Sequence, residues 1–301
     1  MSDKITLNQS YLGISVSAWK VILGFTLFRL FLALILPLTP QEAYYWSWSR
    51  DLALSYFDHP PLASYSIWFT TLIFGQTIFG IKLAAVLWYL GMNIIWATMI
   101  QEMFDNSRQS FWTLLALNAS IVFELYGFVI TPDTPLLFCW TATIYALWKL
   151  VQTEHPKWWY VAGLFMGLAW LGKYSGIMLV PSVLLFTIVS KNQRKWLLTP
   201  HPYLGVLLSI LVFSPVLIWN VQHDWISFAF QGSQRASGMG HWKVKHFGEL
   251  LGSQFFILSP YLFVVVFATL IRYGRKLFTD LEDKLLLLLS SGLVTSVFFI
   301  A

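Results

Sequence analysis

Charge is what this chain lacks. Asp, Glu, Lys and Arg make up 11% of its 301 residues, where an ordinary soluble domain carries about 25%. So few charges cannot cover the surface of a water-soluble protein of this size, which excludes a soluble enzyme. Cysteine is nearly absent too. Cys139 stands alone in an apolar run, so no internal disulfide can form and a secreted disulfide scaffold is excluded. There is no glycine-rich phosphate loop, no internal repeat and no low-complexity linker. In their place stand 57% hydrophobic and 18% aromatic residues, with a mean hydropathy of +0.65. That composition excludes a disordered chain and leaves an integral membrane protein.

A helix needs about 20 apolar residues to cross the hydrocarbon core. Runs of that kind predict nine spans, at 18–38, 80–101, 110–130, 134–151, 158–172, 174–190, 203–221, 248–271 and 284–301. The stretch 61–78 is apolar but interrupted, and is expected at the outer interface or as a tenth span. A cytoplasmic N-terminus puts twelve Lys and Arg inside and six outside, with Arg29 within the first span. This is the asymmetry of cytoplasmic loops, so the net charge of +5 is read as a topology signal and not as nucleic-acid binding. The first span has no small-residue cleavage site after it and is expected to be an uncleaved anchor. The sequence stops at VTSVFFIA, inside an apolar run, as expected of a C-terminally truncated chain. The whole of 1–301 is read as one transmembrane domain of an all-α polytopic membrane protein.

The polar residues gather in loops on one side. The first outer loop carries Tyr44, Tyr45, Trp46, Trp48, Tyr56 and Phe57 among Glu42, Asp51, Asp58 and His59. Aromatic rings with a polar tip favour the headgroup level, so interfacial helices account for most of them. They do not account for Glu42 or for Asp58-His59-Pro60-Pro61, since carboxylates near a membrane cost free energy unless paired or used. The two prolines restrict the backbone after His59 and can aim Asp58 and His59 over a cavity, although Asp58 could also cap a helix. Asp133, in Thr131-Pro132-Asp133-Thr134-Pro135, can cap the following helix or serve a site. Lys173, followed by Tyr174, can snorkel or bind an anion. Glu124, near the outer end of the third span, is a functional candidate, or structural if it pairs with Lys173. The run from Trp219 through Asn220, His223 and Gln231 to Arg235 mixes rings and amides in a way that suits a sugar. Acids on this side can supply a general base, and cations can hold a phosphate leaving group.

Pro40-Gln41-Glu42-Ala43-Tyr44-Tyr45-Trp46, then Ser55-Tyr56-Phe57-Asp58-His59-Pro60-Pro61-Leu62, resembles the bacterial family 39 glycosyltransferases of GT-C fold. These are related to the dolichyl-phosphate-mannose protein mannosyltransferases and to the aminoarabinose transferases that modify lipid A. Pro132-Asp133-Thr134-Pro135-Leu136, Gly167 to Tyr174, and Ser214-Pro215 with Trp219-Asn220 resemble the family in the same order. The resemblance covers about 20–301. It implies a GT-C-like helical bundle whose first outer loop carries interfacial helices, in the plasma (inner) membrane. It implies transfer of a hexosyl or pentosyl sugar from a polyprenyl-phosphate donor, with inversion, to an extracytoplasmic lipid, glycan or protein acceptor. The family usually has Asp-Glu before the Ala-Tyr-Tyr-Trp run. Here Gln41 replaces the Asp, which leaves the catalytic role to Glu42 or Asp58. His59, Tyr45, Asp133, Lys173, Tyr174, Asn220, His223 and Arg235 are the expected substrate-binding residues. A divalent metal near Glu42, Asp58 and His59 is left open, and no other cofactor is implied. The rival readings are a flippase for a polyprenyl-linked sugar and, because of Gln41, an inactive membrane scaffold.

Overall fold

A computed structural model of the chain describes residues 10–11, 13–238, 248, 252–253, 255–256, 260–274 and 281–300. A small hairpin, β1 (Ser10–Tyr11) on β2 (Ile14–Ser15), leads into α1 (Val16–Ile35). The Ser15 hydroxyl caps that helix by accepting the Ala18 N–H at 3.3 Å. Two shorter helices follow, α2 (Pro40–Ser49) and α3 (Leu62–Phe74). Then come α4 (Ile78–Phe104), α5 (Ser107–Asn118), α6 (Ile121–Tyr126), α7 (Asp133–Thr153) and α8 (Lys157–Gly172). A 3-10 turn over Tyr174–Met178 opens α9 (Leu179–Val189), and a second over Arg194–Leu198 precedes α10 (His201–Gln222). The last helices are α11 (Ile226–Gly238), α12 (Pro260–Gly274) and α13 (Asp283–Ile300).

Four of these, α1, α4, α7 and α10, are by themselves long and apolar enough to cross a bilayer. Their outward faces are apolar as well: Leu23, Leu27, Phe31 and Leu34 of α1 are all exposed. Such a belt would be an aggregation hazard in water and is the expected surface in lipid. Helices fall on each expected span, with three differences. The expected 110–130 span breaks at Asn118 into α5 and α6. The break follows from Asn118 itself, whose side chain is drawn into bonds with Arg29 and Asn93. The 174–190 span starts as a 3-10 turn, and the described residues of 248–271 are helical, with α12 beginning at Pro260. The interrupted stretch 61–78 supplies α3, packed on α4.

The helices pack in a chain of neighbours, α10 on α8, α8 on α7, α7 on α4 and α4 on α1. Glycines set the closest crossing. A Cβ at Gly163 would overlap the Gly205 carbonyl, and one at Gly167 would lie 2.6 Å from Val212 Cβ. Helices α8 and α10 therefore meet backbone to backbone, as small residues permit between membrane helices. Ser209 seals the crossing by donating to the Gly163 carbonyl at 2.8 Å. Among the described residues the apolar core forms four clusters, two of them large. Met99, Leu147, Trp159, Phe186 and Leu286 fill one end. Leu136, Cys139, Trp170, Phe213 and Val216 fill the middle, next to the other end. At that second end the bundle is roofed by α2, the loop 50–61 and α11.

Candidate active site at the roofed end

Helix α2 is built to start at Thr39. The Thr39 hydroxyl accepts the Glu42 N–H at 3.3 Å, and Glu42 Oε2 accepts the Thr39 N–H at 2.8 Å. With Pro40 in the first turn this is a complete capping box. Glu42 does more than cap. Lys82 of α4 donates to both of its oxygens, at 2.9 and 2.7 Å, and both side chains are fully buried. Of the two carboxylates expected to carry catalysis, Glu42 is thus turned into the α2–α4 contact.

The other carboxylate faces a different way. Past Ser49 the chain has no regular structure up to Pro61, but two tyrosine hydroxyls tie it down. Tyr56 donates to the Trp48 carbonyl at 2.9 Å, and Tyr65 to the Ala53 carbonyl at 2.7 Å. Tyr56 stacks on Trp48, centroids 4.2 Å apart, and Trp48 packs against Tyr44 and Tyr45. This aromatic bed carries the Asp58-His59-Pro60-Pro61 turn. The Tyr44 hydroxyl reaches Asp58 Oδ1 at 3.3 Å, and the His59 ring meets Tyr45 edge-on at 5.9 Å. His59 Nδ1 lies 3.5 Å from Asp58 Oδ2 and makes no hydrogen bond. Burial first, and the Asp58 charge second, hold the Tyr44 hydroxyl above the usual tyrosine range. Tyr44 therefore stays a neutral donor to the carboxylate. Tyr45 is raised for the same leading reason, then by Asp58 and Asp133, which places both acids within electrostatic reach of one ring.

Asp133 opens α7, yet makes no capping bond there. Both of its oxygens accept from Lys173 Nζ at 2.8 Å. Lys173 is the residue between α8 and the Tyr174 turn, and it is one-third exposed. It is neither a lone cation nor the partner of Glu124. Glu124 pairs with Arg29, at 2.8 Å.

Helix α11 closes the remaining side. The Tyr174 hydroxyl donates to Ser227 at 3.0 Å, and Ser227 to Asn220 Oδ1 at 2.6 Å. One turn on, Phe230 packs on Phe57 at 4.6 Å, and Gln231 donates to the Asp58 carbonyl at 2.8 Å. Between α8, α10, α11 and the turn lies a cavity of about 610 Å³. His59, Lys173, Tyr174 and Gln231 bring polar groups to it, and Trp170, Ile177, Met178, Ile210, Phe213, Leu217 and Phe228 make its apolar wall.

The expected site residues divide accordingly. His59, Lys173 and Tyr174 line the cavity, Asp58 adjoins it, and Asp133 holds its lysine. Tyr45 is buried in the aromatic bed and supports His59. Asn220 is fully buried and ties α10 to α11 through Ser227. His223 is exposed, stacks on Trp219 at 3.9 Å and bonds that residue's carbonyl, away from the cavity lining. Arg235 lies on α11, but its side chain is outside the described part of the structure. Lys82, Ser227 and Gln231 were not singled out from the sequence. Gln231 was visible there only as one amide in a mixed loop, and nothing in Lys82's apolar surroundings announced its partner 40 residues earlier. Among the described residues, no group of three or more His, Cys, Asp and Glu comes together to hold a metal ion.

The chain is a multispan α-helical bundle of GT-C fold, with a carboxylate, a histidine and a paired lysine grouped over an apolar cavity at one end. Residues 58–219, over half of the chain, match the dolichyl-phosphate-mannose-protein mannosyltransferase family, and the chain belongs to that family. The lipid A galacturonosyltransferase RgtD of Rhizobium johnstonii is 26% identical over 287 residues, 92% of this chain and 59% of its own length. The undecaprenyl phosphate-alpha-4-amino-4-deoxy-L-arabinose arabinosyl transferase 1 of Pseudomonas fluorescens is 21% identical over 192 residues, 62% of this chain and 35% of that protein. Among solved structures, ArnT from Cupriavidus metallidurans in the apo state superposes with a TM-score of 0.64, at 19% identity. That match covers 93% of this chain and 59% of ArnT. The chain therefore spans at most about three-fifths of these relatives.

Proposed function

We propose that this chain is the membrane domain of a glycosyltransferase. It moves a hexosyl or pentosyl sugar from a polyprenyl-phosphate carrier to a lipid acceptor at the extracytoplasmic face of the inner membrane, with inversion at the anomeric carbon. The observation that carries this is the two-natured cavity, in which a long apolar wall ends at His59, Lys173, Tyr174 and Gln231. A polyprenyl phosphate has the same division, an apolar chain ending in one anionic group. The named activities of the similar proteins, transfer of a sugar to lipid A and use of an undecaprenyl-phosphate sugar, support the same choice.

Each residue then has a role. Asp58 accepts the proton of the acceptor oxygen as it attacks the anomeric carbon, and the lipid phosphate leaves on the opposite face. Tyr44 and His59 orient the Asp58 carboxylate. Lys173 meets the developing phosphate charge. Asp133 holds the lysine in place and keeps its charge compensated before the donor arrives. Glu42 fixes α2 against α4, and Arg235 is retained as a second cation for the phosphate. The N-terminus is cytoplasmic in this arrangement, as the distribution of Lys and Arg favours.

Lys173→Ala is expected to lower transfer by about 10²–10³-fold, the usual loss when one charge-stabilising donor is removed. The measurement is mass spectrometry of envelope lipids from cells carrying the wild-type gene, the variant or a deletion. The proposal fails if lipids with and without the gene are identical. Loss of lipid-linked sugar from the outer leaflet, with no covalent product, would favour the flippase.

A further inference from the structure

We infer that Arg29, through Glu124 and Asn118, is a positioning residue for the Asp133–Lys173 pair. This rests on the role of Lys173 given above. Arg29 is 1% exposed in α1 and lies within a membrane-spanning helix, where a charge is costly and usually has a function. Its Nη2 donates to Asn118 Oδ1 at 2.6 Å and to Glu124 Oε2 at 2.8 Å. It thus grips the broken helix on both sides of the break, at the last residue of α5 and the middle of α6. Asn118 passes the restraint on to α4 by donating to Asn93 at 2.6 Å.

Helix α6 has no buried residue. Its apolar hold on the bundle is slight, chiefly Phe123 edge-on to Tyr89 at 6.2 Å, and the Arg29–Glu124 contact adds a polar tether. Directly after it, Gly127 lies against the guanidinium, and a Cβ there would overlap Arg29 Nε. From Gly127 the chain runs six residues to Asp133. Ile130 is fully buried. Thr134 closes the turn, accepting the Thr131 N–H at 3.2 Å and contacting the Val129 and Tyr126 carbonyls at 3.4 and 3.5 Å. A shift of α6 would therefore move the start of α7, and Asp133 with it. Arg29 touches neither the cavity nor Lys173. It sets where the Lys173 partner stands.

The test separates this from a merely stabilising role. Removing Arg29 alone strands the Glu124 carboxylate, so the informative protein is the double variant Arg29→Met/Glu124→Leu, which removes both charges. The chain is studied in lipid nanodiscs by melting temperature, by the rate at which Lys173 reacts with an amine-acetylating reagent, and by binding of undecaprenyl phosphate in native mass spectrometry. The double variant is expected to melt close to the wild type. Its Lys173 should nevertheless react about threefold faster or more, approaching the rate in Asp133→Asn, because the lysine has lost its aligned counter-charge. Undecaprenyl phosphate binding should fall with it. Wild-type Lys173 reactivity in a stable double variant overturns the inference. If wild type does not bind undecaprenyl phosphate, or Lys173→Ala binds it equally well, the assignment of Lys173 fails, while the acetylation rate still decides whether Arg29 positions the pair.

Discussion

Asp58→Asn is expected to slow sugar transfer by about 10²–10⁴-fold, the range for removing a general base, with little change in melting temperature. The substitution keeps the shape of the side chain and leaves an oxygen to accept from Tyr44. It removes the charge and the basicity. Little stability is at stake, because the Asp58 contacts are long, 3.3 Å to Tyr44 and 3.5 Å to His59, and the side chain is partly open to solvent. The backbone on which it stands is held separately, by Gln231 on the Asp58 carbonyl and by the two prolines that follow. Initial rates of transfer in nanodiscs, with melting curves alongside, make the comparison. Full activity in Asp58→Asn, with loss of activity in a stable Glu42→Gln, would return the base to Glu42.

The second large effect concerns stability. Glu42 and Lys82 are both fully buried and bonded to each other. Lys82→Met leaves a carboxylate out of water with only the Thr39 N–H as partner, and Glu42→Gln leaves an ammonium without a counter-charge. Each single change should destabilise the protein by about 3–5 kcal/mol, the usual result of stranding one charge of a buried pair. The double variant Glu42→Gln/Lys82→Met strands neither and should recover most of the loss. Thermal unfolding of the four proteins gives the coupling directly. Additive losses would mean that the two groups do not form a unit. Activity should follow stability here, unlike in Asp58→Asn, because α2 carries the aromatic bed under His59 but no reacting group.

These two acids also show what the sequence disclosed and what it withheld. The spans were legible because crossing a bilayer requires long apolar runs, and α1, α4, α7 and α10 display them openly. Asp58-His59-Pro60-Pro61 was legible because two prolines and two polar residues have no use on an apolar surface. Asp133 and Lys173 were legible as candidates but not as a pair. Forty residues separate them, and only the return of α8 against α7 brings them to 2.8 Å. The partner of Glu42 was hidden for the same reason. The capping box of Glu42 was encoded locally by Thr39-Pro40-Gln41-Glu42, but its lysine comes from the start of another helix. The break at Asn118 was hidden because only Asn118 and Ser120 interrupt the apolar run there, and the partners of Asn118, Arg29 and Asn93, lie far off in sequence. Local chemistry showed where the polar groups are, and long-range pairing decided which of them remain available to a substrate.

The single sulfhydryl has a practical consequence. Cys139 is wholly enclosed by α7 and its neighbours, so membrane-impermeant thiol dyes should find nothing to modify on the native chain. An added sulfur at an exposed bend, Asp51→Cys near one end or His155→Cys near the other, would then report which compartment each end faces against a silent background. No cysteine-free parent would have to be engineered first.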